Sequence, residues 1–324
     1  MLGLGRYAER ELGPALKLTK NCHLTGVITG TPEKGPKWAK EYGLSEKNIY
    51  SYDNIERIAD NPEIDIVYVV TPPGVRRSFV ERCAKAGKHV ISEKPLATTV
   101  EDCDAMIAAC KKAKVKFSTG YRLHFDPYHR EMMRVAREKE FGELKKMTGE
   151  RAFVMAARAW RIDKKIGGGG PLMDLGIYII QGACMIAGKP IAVTAKEGPK
   201  LKPELFNEVE ETIDWTMEFA NGATCVARVS FNGSADKFRA EGDKGWWEFP
   251  EHAFPYRGAK CVTSRGPVTF PPMNQQAAQM DDFADCVRTG RETIVPGEMG
   301  RRDIEIMLAI YEAARTGKRV IIPA

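Results

Sequence analysis

The 324-residue sequence has no uninterrupted run of about 20 apolar residues, the length a helix needs to cross a bilayer, so no membrane span is expected. No dense block of lysine and arginine interleaved with aromatics occurs. The formal net charge of +6 is spread along the chain, which argues against a nucleic-acid surface while favouring phosphorylated ligands mildly. The eight cysteines (Cys22, Cys83, Cys103, Cys110, Cys184, Cys225, Cys261, Cys286) show no C-x-x-C spacing and no histidine partner. No disulfide framework and no metal site is therefore expected. Several of them sit in apolar runs, where free cysteine behaves as a small hydrophobe. With no signal peptide visible, a reducing, cytoplasmic setting is expected. An exported form is the alternative, because the chain begins abruptly before its first motif. Internal repeats and low-complexity linkers are absent as well.

What is present is globular in kind. Hydrophobic residues make up 43% and charged residues 28%, and the length fits about two domains. Up to about residue 120 the chain alternates buried-strand and helix patterns. Strands are expected at 24–29, 64–70, 89–92 and 116–120, and helices at 32–42, 78–86 and 99–113, with Thr99 as a cap and Asp102 in the capping-box position. Repeated β-α units of this length predict a parallel, doubly wound sheet. Beyond that point the pattern changes. Helical stretches at 127–138 and 172–187 are followed by strand-like segments at 210–219 and 223–231 around Asn221-Gly222, a hairpin signal. A further strand is expected at 245–249, and two late helices at 275–288 and 297–315. The predicted fold class is α/β, a Rossmann-type doubly wound parallel sheet, followed by an α+β domain with a large open, mostly antiparallel sheet. The expected boundaries are 1–121 and 122–324.

Gly3-Leu4-Gly5-Arg6-Tyr7-Ala8 fits G-x-G-x-x-A, in which glycines let the backbone approach a pyrophosphate at the start of a helix. Gly3, Gly5, Arg6 and Tyr7 are thus candidate dinucleotide contacts. A strand of about five residues should enter such a loop, yet only Met1-Leu2 precede it, so the first strand looks truncated. At the end of the second strand an NAD site carries Asp or Glu for the ribose 2′-hydroxyl. This chain has Thr29-Gly30-Thr31-Pro32-Glu33-Lys34 instead, and Thr29, Thr31 and Lys34, with Arg6, suit a 2′-phosphate. NADP is expected over NAD.

Two further segments carry chemistry. Glu93-Lys94-Pro95 follows a short strand at the sheet's carboxyl edge, where α/β folds place ligands. Gly167-Gly168-Gly169-Gly170-Pro171-Leu172-Met173-Asp174-Leu175-Gly176-Ile177-Tyr178 is a glycine-rich turn feeding a helix, on which Asp174 and Tyr178 lie four apart on one face. Together with Gly120-Tyr121-Arg122-Leu123-His124, Trp160-Arg161 and a late 311–317 helix end, these motifs, in order along nearly the whole chain, resemble the Gfo/Idh/MocA oxidoreductases. The glucose–fructose oxidoreductase and aldose dehydrogenase branch is the nearest in motif.

That resemblance implies hydride transfer between a nicotinamide and a sugar carbon. By motif, Lys94 matches the active-site lysine, Asp174 the substrate-binding acid and Tyr178 the acid–base position. Thr71, Pro72, Glu93 and Lys94 would complete the nucleotide site, and Tyr121, Arg122, His124, Trp160 and Arg161 would line the substrate cleft. Phenol is a poor base at neutral pH, and a nearby ammonium favours phenolate, so Lys94 beside Tyr178 makes physical sense. One departure stands out: Arg76 occupies a position where many relatives carry His, near the nicotinamide ribose. The expected substrate is a sugar or related polyol. Alternatives are a dihydrodiol or anhydro-sugar reductase and, in another class, a non-catalytic NADP-binding regulator. A homodimer or homotetramer is expected, on the argument that an open, apolar sheet face needs cover.

Overall fold

The computed structural model describes residues 1–323. It divides into two compact units, one of Met1–Phe125 with Asn274–Arg301, the other of Asp126–Met273 with the residues from Arg302 onward.

The first unit is built on short, buried, β-branched strands: β1 (Val27–Thr29), β2 (Ile49–Ser51), β3 (Ile66–Val69), β4 (His89–Glu93) and β5 (Phe117–Gly120). β1 pairs β2, and β3, β4 and β5 pair in that order, all parallel. Leu2 bridges Ile28 on one side and Val69 on the other, which joins the two groups into one sheet. The central strand is therefore represented by little more than one bridged residue. The expected strands 24–29 and 64–70 form ladders only over 27–29 and 66–69.

Helices connect the strands in the doubly wound manner. Thr99 caps helix Val100–Lys112 by accepting from the Asp102 N–H at 3.1 Å, as its position in sequence suggested. Helix Pro73–Lys85 begins earlier than expected, since Pro73 has the φ that suits a first helical position. The expected boundary at 121 needs correction. The turn Arg122–Phe125 belongs to the first unit, and so does the late helix Gln275–Thr289. The reason is apolar cover: Ala277, Met280, Phe283 and Cys286 of that helix pack into one cluster with Met1, Leu4, Leu12, Val27 and Ile91.

The second unit holds a nine-stranded sheet of β6 (Leu144–Ala152), β7 (Ala192–Glu197), β8 (Thr212–Glu218), β9 (Thr224–Ser230), β10 (Ala235–Gly242), β11 (Gly245–Phe249), β12 (Cys261–Thr263), β13 (Gly266–Val268) and β14 (Val320–Ile321). Its order is β13-β12-β11-β10-β6-β9-β8-β7-β14, antiparallel except between β6 and β9. Asn221-Gly222 turns the β8–β9 hairpin, with Gly222 at φ +82°. One sheet face is core (Ile213, Trp215, Met217, Val229, Phe238, Phe249). The opposite face is not apolar, contrary to expectation. Across the strands it runs Lys196, Asp214, Arg228, Glu150, Lys237, with ion pairs Arg228–Asp214 (3.6 Å) and Lys237–Glu150 (2.8 Å). The period-2 alternation of β-strands reads as amphipathic, and here the outer set is charged and mutually neutralising.

The stretch Lys164–Ala187, helical on either side of the bend at 168–170, is long and apolar enough by composition to cross a membrane, but 78% of its most apolar window is buried, as in a core helix.

Candidate active site

In the first unit the glycine-rich turn is anchored by Leu2 and Gly3, whose N–H groups donate to Tyr68 O (2.8 Å) and Ile28 O (2.9 Å). Gly3 has φ +90°, and a Cβ there would stand 3.1 Å from the Val70 carbonyl carbon, so no other residue fits. Gly5 and Arg6 are exposed at the start of the following helix, which opens with a π-turn (Ala8–Leu12) before Gly13–Leu16. Tyr7 is half-buried on that turn. Lys34 lies against the same loop: its Nζ donates to Leu4 O at 2.6 Å and pairs with Glu9 at 3.4 Å. At the end of β1 the Thr29 hydroxyl accepts from the Thr31 N–H (3.1 Å), which leaves Thr31 exposed beside Gly30. Thr71, buried next to the Gly3 cradle, has an Oγ1 with no hydrogen-bond partner, and Pro72 follows it as the cap of helix Pro73–Lys85. An orphaned hydroxyl, a cradle only glycine can form and exposed helix-start backbone fit a dinucleotide.

The Glu93-Lys94-Pro95 turn closes β4. Glu93 is only 6% exposed, and its carboxylate accepts from Tyr68 Oη (2.7 Å) and from the Lys94 N–H (3.1 Å). Burial pushes the Glu93 carboxyl above the usual range and the Tyr68 phenol well above its own. The Glu93 carboxylate is thus engaged inside the unit. So is the side chain of Arg76. It is 2% exposed, and its guanidinium donates to the carbonyl oxygens of Thr71, Glu93, Pro95 and Leu96. Burial brings it down to about 10, so it remains a cation at neutral pH. Nη1 faces three of these carbonyls and Nη2 the fourth, while Nε has no hydrogen-bond partner; the long forked cation reaches this set in a way an imidazole cannot. Arg76 thus grips the turn from within. Lys94 is the half-exposed residue between buried Glu93 and buried Pro95, and the Lys94–Pro95 bond is cis.

Tyr121, Arg122 and His124 are brought together on and beside the turn Arg122–Phe125, all under 8% exposed. The Tyr121 and His124 rings lie 6.4 Å apart, and Arg122 donates to Gln275 of the late helix.

In the second unit the glycine-rich turn is gripped by an anion. Glu210, 3% exposed, accepts from the N–H groups of Gly170 (3.0 Å) and Leu172 (3.0 Å) and from Tyr311 Oη (2.8 Å). A carboxylate at a helix start satisfies N–H groups that have no intrahelical partner. A Cβ on Gly169 would meet Tyr311 Oη at 1.9 Å, and one on Gly170 would meet Glu210 O at 2.2 Å, so both glycines are required by close approach. The chain continues through a π-turn, Leu172–Gly176, into helix Ile177–Ala187.

Asp174 pairs with Arg161 at 3.1 Å, and the Arg161 guanidinium stacks over the Trp160 ring at 4.5 Å, so three expected substrate contacts form one group. Tyr178, 8% exposed, has the Arg151 guanidinium 4.1 Å from its ring centroid and Phe254 5.7 Å away. Glu210 and Arg151 were missed in the sequence. The signals available were weak: Glu210 is one of three acids in Glu208-Val209-Glu210-Glu211, and Arg151 one of several charged residues in β6. Among the described residues no group of three or more His, Cys, Asp or Glu is clustered as a metal site requires.

Comparison with known proteins adds four findings. Residues 1–121 match the GFO_IDH_MocA family, described as an oxidoreductase family with an NAD-binding Rossmann fold, and residues 129–248 match its C-terminal domain. The crystal structure of aldose-aldose oxidoreductase from Caulobacter crescentus, complexed with glycerol, is 40% identical, with TM-score 0.95 over 99% of this chain and 98% of that one. D-xylose 1-dehydrogenase [NADP(+)] of Haloarcula marismortui is 25% identical over 99% of this chain and 91% of its own length. Levoglucosan dehydrogenase shares the fold at TM-score 0.85 and 21% identity, over 100% of this chain and 98% of that one.

Proposed function

Since the chain belongs to the GFO/IDH/MocA oxidoreductase family, we propose that it moves a hydride between NADP(H) and a carbinol or carbonyl carbon of a sugar or related polyol. The observation that carries this reading is the pair of clamped turns. Each fixes its backbone with a buried ion and presents one side chain of the right chemistry, Lys94 on one and Tyr178 just beyond the other.

A bound nicotinamide dinucleotide would supply or accept the hydride. Gly3, Gly5 and Arg6 would hold its pyrophosphate, and Thr71 Oγ1, which has no hydrogen-bond partner, could donate to it. Thr31, Lys34 and Arg6 would receive a 2′-phosphate, and the absence of an acidic residue directly after β1 favours NADP over NAD. Tyr178 takes the hydroxyl proton as hydride leaves and returns it in the reverse direction. Lys94, by its motif, polarises the substrate oxygen, and Arg151 places a cation at the Tyr178 ring face that favours the phenolate. Asp174, held by Arg161, accepts hydrogen bonds from sugar hydroxyls. Full-length likeness to an aldose-aldose oxidoreductase favours the variant in which nucleotide is retained while one sugar is oxidised and another reduced.

The test is to denature the purified protein, identify any released nucleotide, and assay a panel of aldoses and polyols with NADP and NAD. NADP, with turnover of at least one aldose, is expected. A preference for NAD at equal substrate, or no turnover on any sugar with either nucleotide, contradicts the proposal. We further propose a cytoplasmic homodimer or homotetramer. Given the charged outer sheet face, such an assembly would use polar contacts there, and light scattering that finds a monomer counts against it.

A further inference from the structure

The side chain of Lys34, the first residue of helix Lys34–Tyr42, crosses from its own helix to the glycine-rich turn. There its Nζ donates at 2.6 Å to the carbonyl of Leu4, the residue between Gly3 and Gly5. The same Nζ stands 3.4 Å from Oε1 of Glu9 on the π-turn that follows, and the two side chains are 35% and 36% exposed. The backbone beneath Lys34 is fixed: the Thr31 N–H donates to Thr29 Oγ1 (3.1 Å), and the Lys34 N–H donates to Thr31 O (3.1 Å). Glu9 is fixed as well, since its N–H donates to Gly5 O at 3.0 Å. Only side-chain partners are left to exchange at this ammonium. It has three donors; Leu4 takes one, and Glu9 is the partner that an incoming anion can replace.

We propose that Glu9 tunes the nucleotide preference: its carboxylate pairs with Lys34 in the nucleotide-free chain and competes for that ammonium with the 2′-phosphate of NADP. The inference rests on the reading of this unit as an NADP site and adds to it a residue that opposes the phosphate. Its direction follows from charge. A phosphate monoester carries about −1.5 to −2 at neutral pH, and Coulomb attraction scales with charge, so the phosphate takes Lys34 from a singly charged carboxylate. It thereby breaks the Glu9 pair and comes to rest beside a carboxylate that repels it. NAD brings a ribose hydroxyl instead, and the Lys34–Glu9 pair survives its binding. Both nucleotides carry the same pyrophosphate, so any repulsion between that group and Glu9 cancels when the two are compared. Glu9 therefore narrows the preference for NADP over NAD without reversing it. Because both side chains are about a third exposed, water and salt screen the pair, and the effect is a few-fold one.

The experiment measures dissociation constants for NADP and for NAD by isothermal titration on nucleotide-stripped protein. The unmodified chain is compared with Glu9→Gln, Lys34→Met, the double variant and Glu41→Gln. The last removes the same charge from an exposed residue near the far end of helix Lys34–Tyr42, where it pairs with Lys17. The NADP-over-NAD ratio is expected to widen about threefold in Glu9→Gln and to fall about tenfold or more in Lys34→Met. In the Lys34→Met background Glu9→Gln should no longer move the ratio, as for groups that act through one another. Glu41→Gln should leave it where it was. A ratio that Glu9→Gln leaves unchanged or narrows overturns the proposal. So does an equal widening by Glu41→Gln, or a widening by Glu9→Gln that persists without Lys34. An unmodified chain with no preference for NADP contradicts the NADP reading and this inference with it, whereas a preference that Glu9→Gln does not move contradicts this inference alone.

Discussion

The turn that carries Lys94 and the turn that leads to Tyr178 are held from inside by buried ions of opposite sign. In the first unit the inward groups are carbonyls, and a guanidinium answers them; in the second they are N–H groups at a helix start, and a carboxylate does. Polarity of the inward backbone dictates the sign of the ion, because a buried peptide group without a partner costs about 1–3 kcal/mol. Both buried ions satisfy backbone, and the proposed chemistry is assigned to the side chains that the turns present.

The sharpest way to break this picture is to remove one presented side chain and leave its clamp. Lys94→Ala should lower kcat about a thousandfold with the thermal midpoint nearly unchanged. Retained turnover would reduce Lys94 to a surface lysine, and a collapsed midpoint would show that it supports the turn.

Burial pushes the carboxyls of Glu93 and Glu210 up from the ordinary carboxylate range. The folded state therefore binds more protons than the unfolded state just above that range, so this contribution to stability is full below the unfolded carboxylate values and is lost as pH rises through the folded ones. Denaturant titrations between about pH 4 and pH 8 should show the fall, and Glu210→Gln should flatten it. An unchanged slope in that variant would show that Glu210 is not desolvated.

Removing the clamps themselves comes next. Arg76→Met strands four carbonyls and should cost about 3 kcal/mol. Glu210→Gln keeps one acceptor and should cost about 1–2 kcal/mol while lowering kcat more than it raises KM. If the order is reversed in urea melts, the two clamps are not the equivalents described. Smallest of all, Gly222→Ala, at φ +82° with no atom within 4 Å, meets only backbone strain and should cost about 1 kcal/mol. A larger loss would mean that the hairpin tolerates less than its open surroundings suggest.

What the sequence disclosed follows the range of the interaction. The Asn221-Gly222 hairpin, the Thr99 cap and strand β11 are decided largely within a few residues, and all are where the pattern put them. Arg76 and Glu210 were not legible as clamps, because a charged residue becomes a core ion only when distant segments close over it. Helix Gln275–Thr289 joins the first unit for the same reason: its apolar stripe fits a sheet formed some 200 residues earlier. The outer face of the large sheet shows the limit of alternation. A period of two says that one face differs from the other, and only the register of the neighbours shows that its charges cancel.

The central claim is that Lys94 and Tyr178 serve one proton-transfer unit. A double-mutant cycle tests it most directly: kcat for sugar oxidation in the unmodified enzyme, Lys94→Ala, Tyr178→Phe and the double variant. The account predicts that the double variant is about as slow as the slower single one, as for groups that act together. Losses that multiply would show two residues working independently and would contradict it.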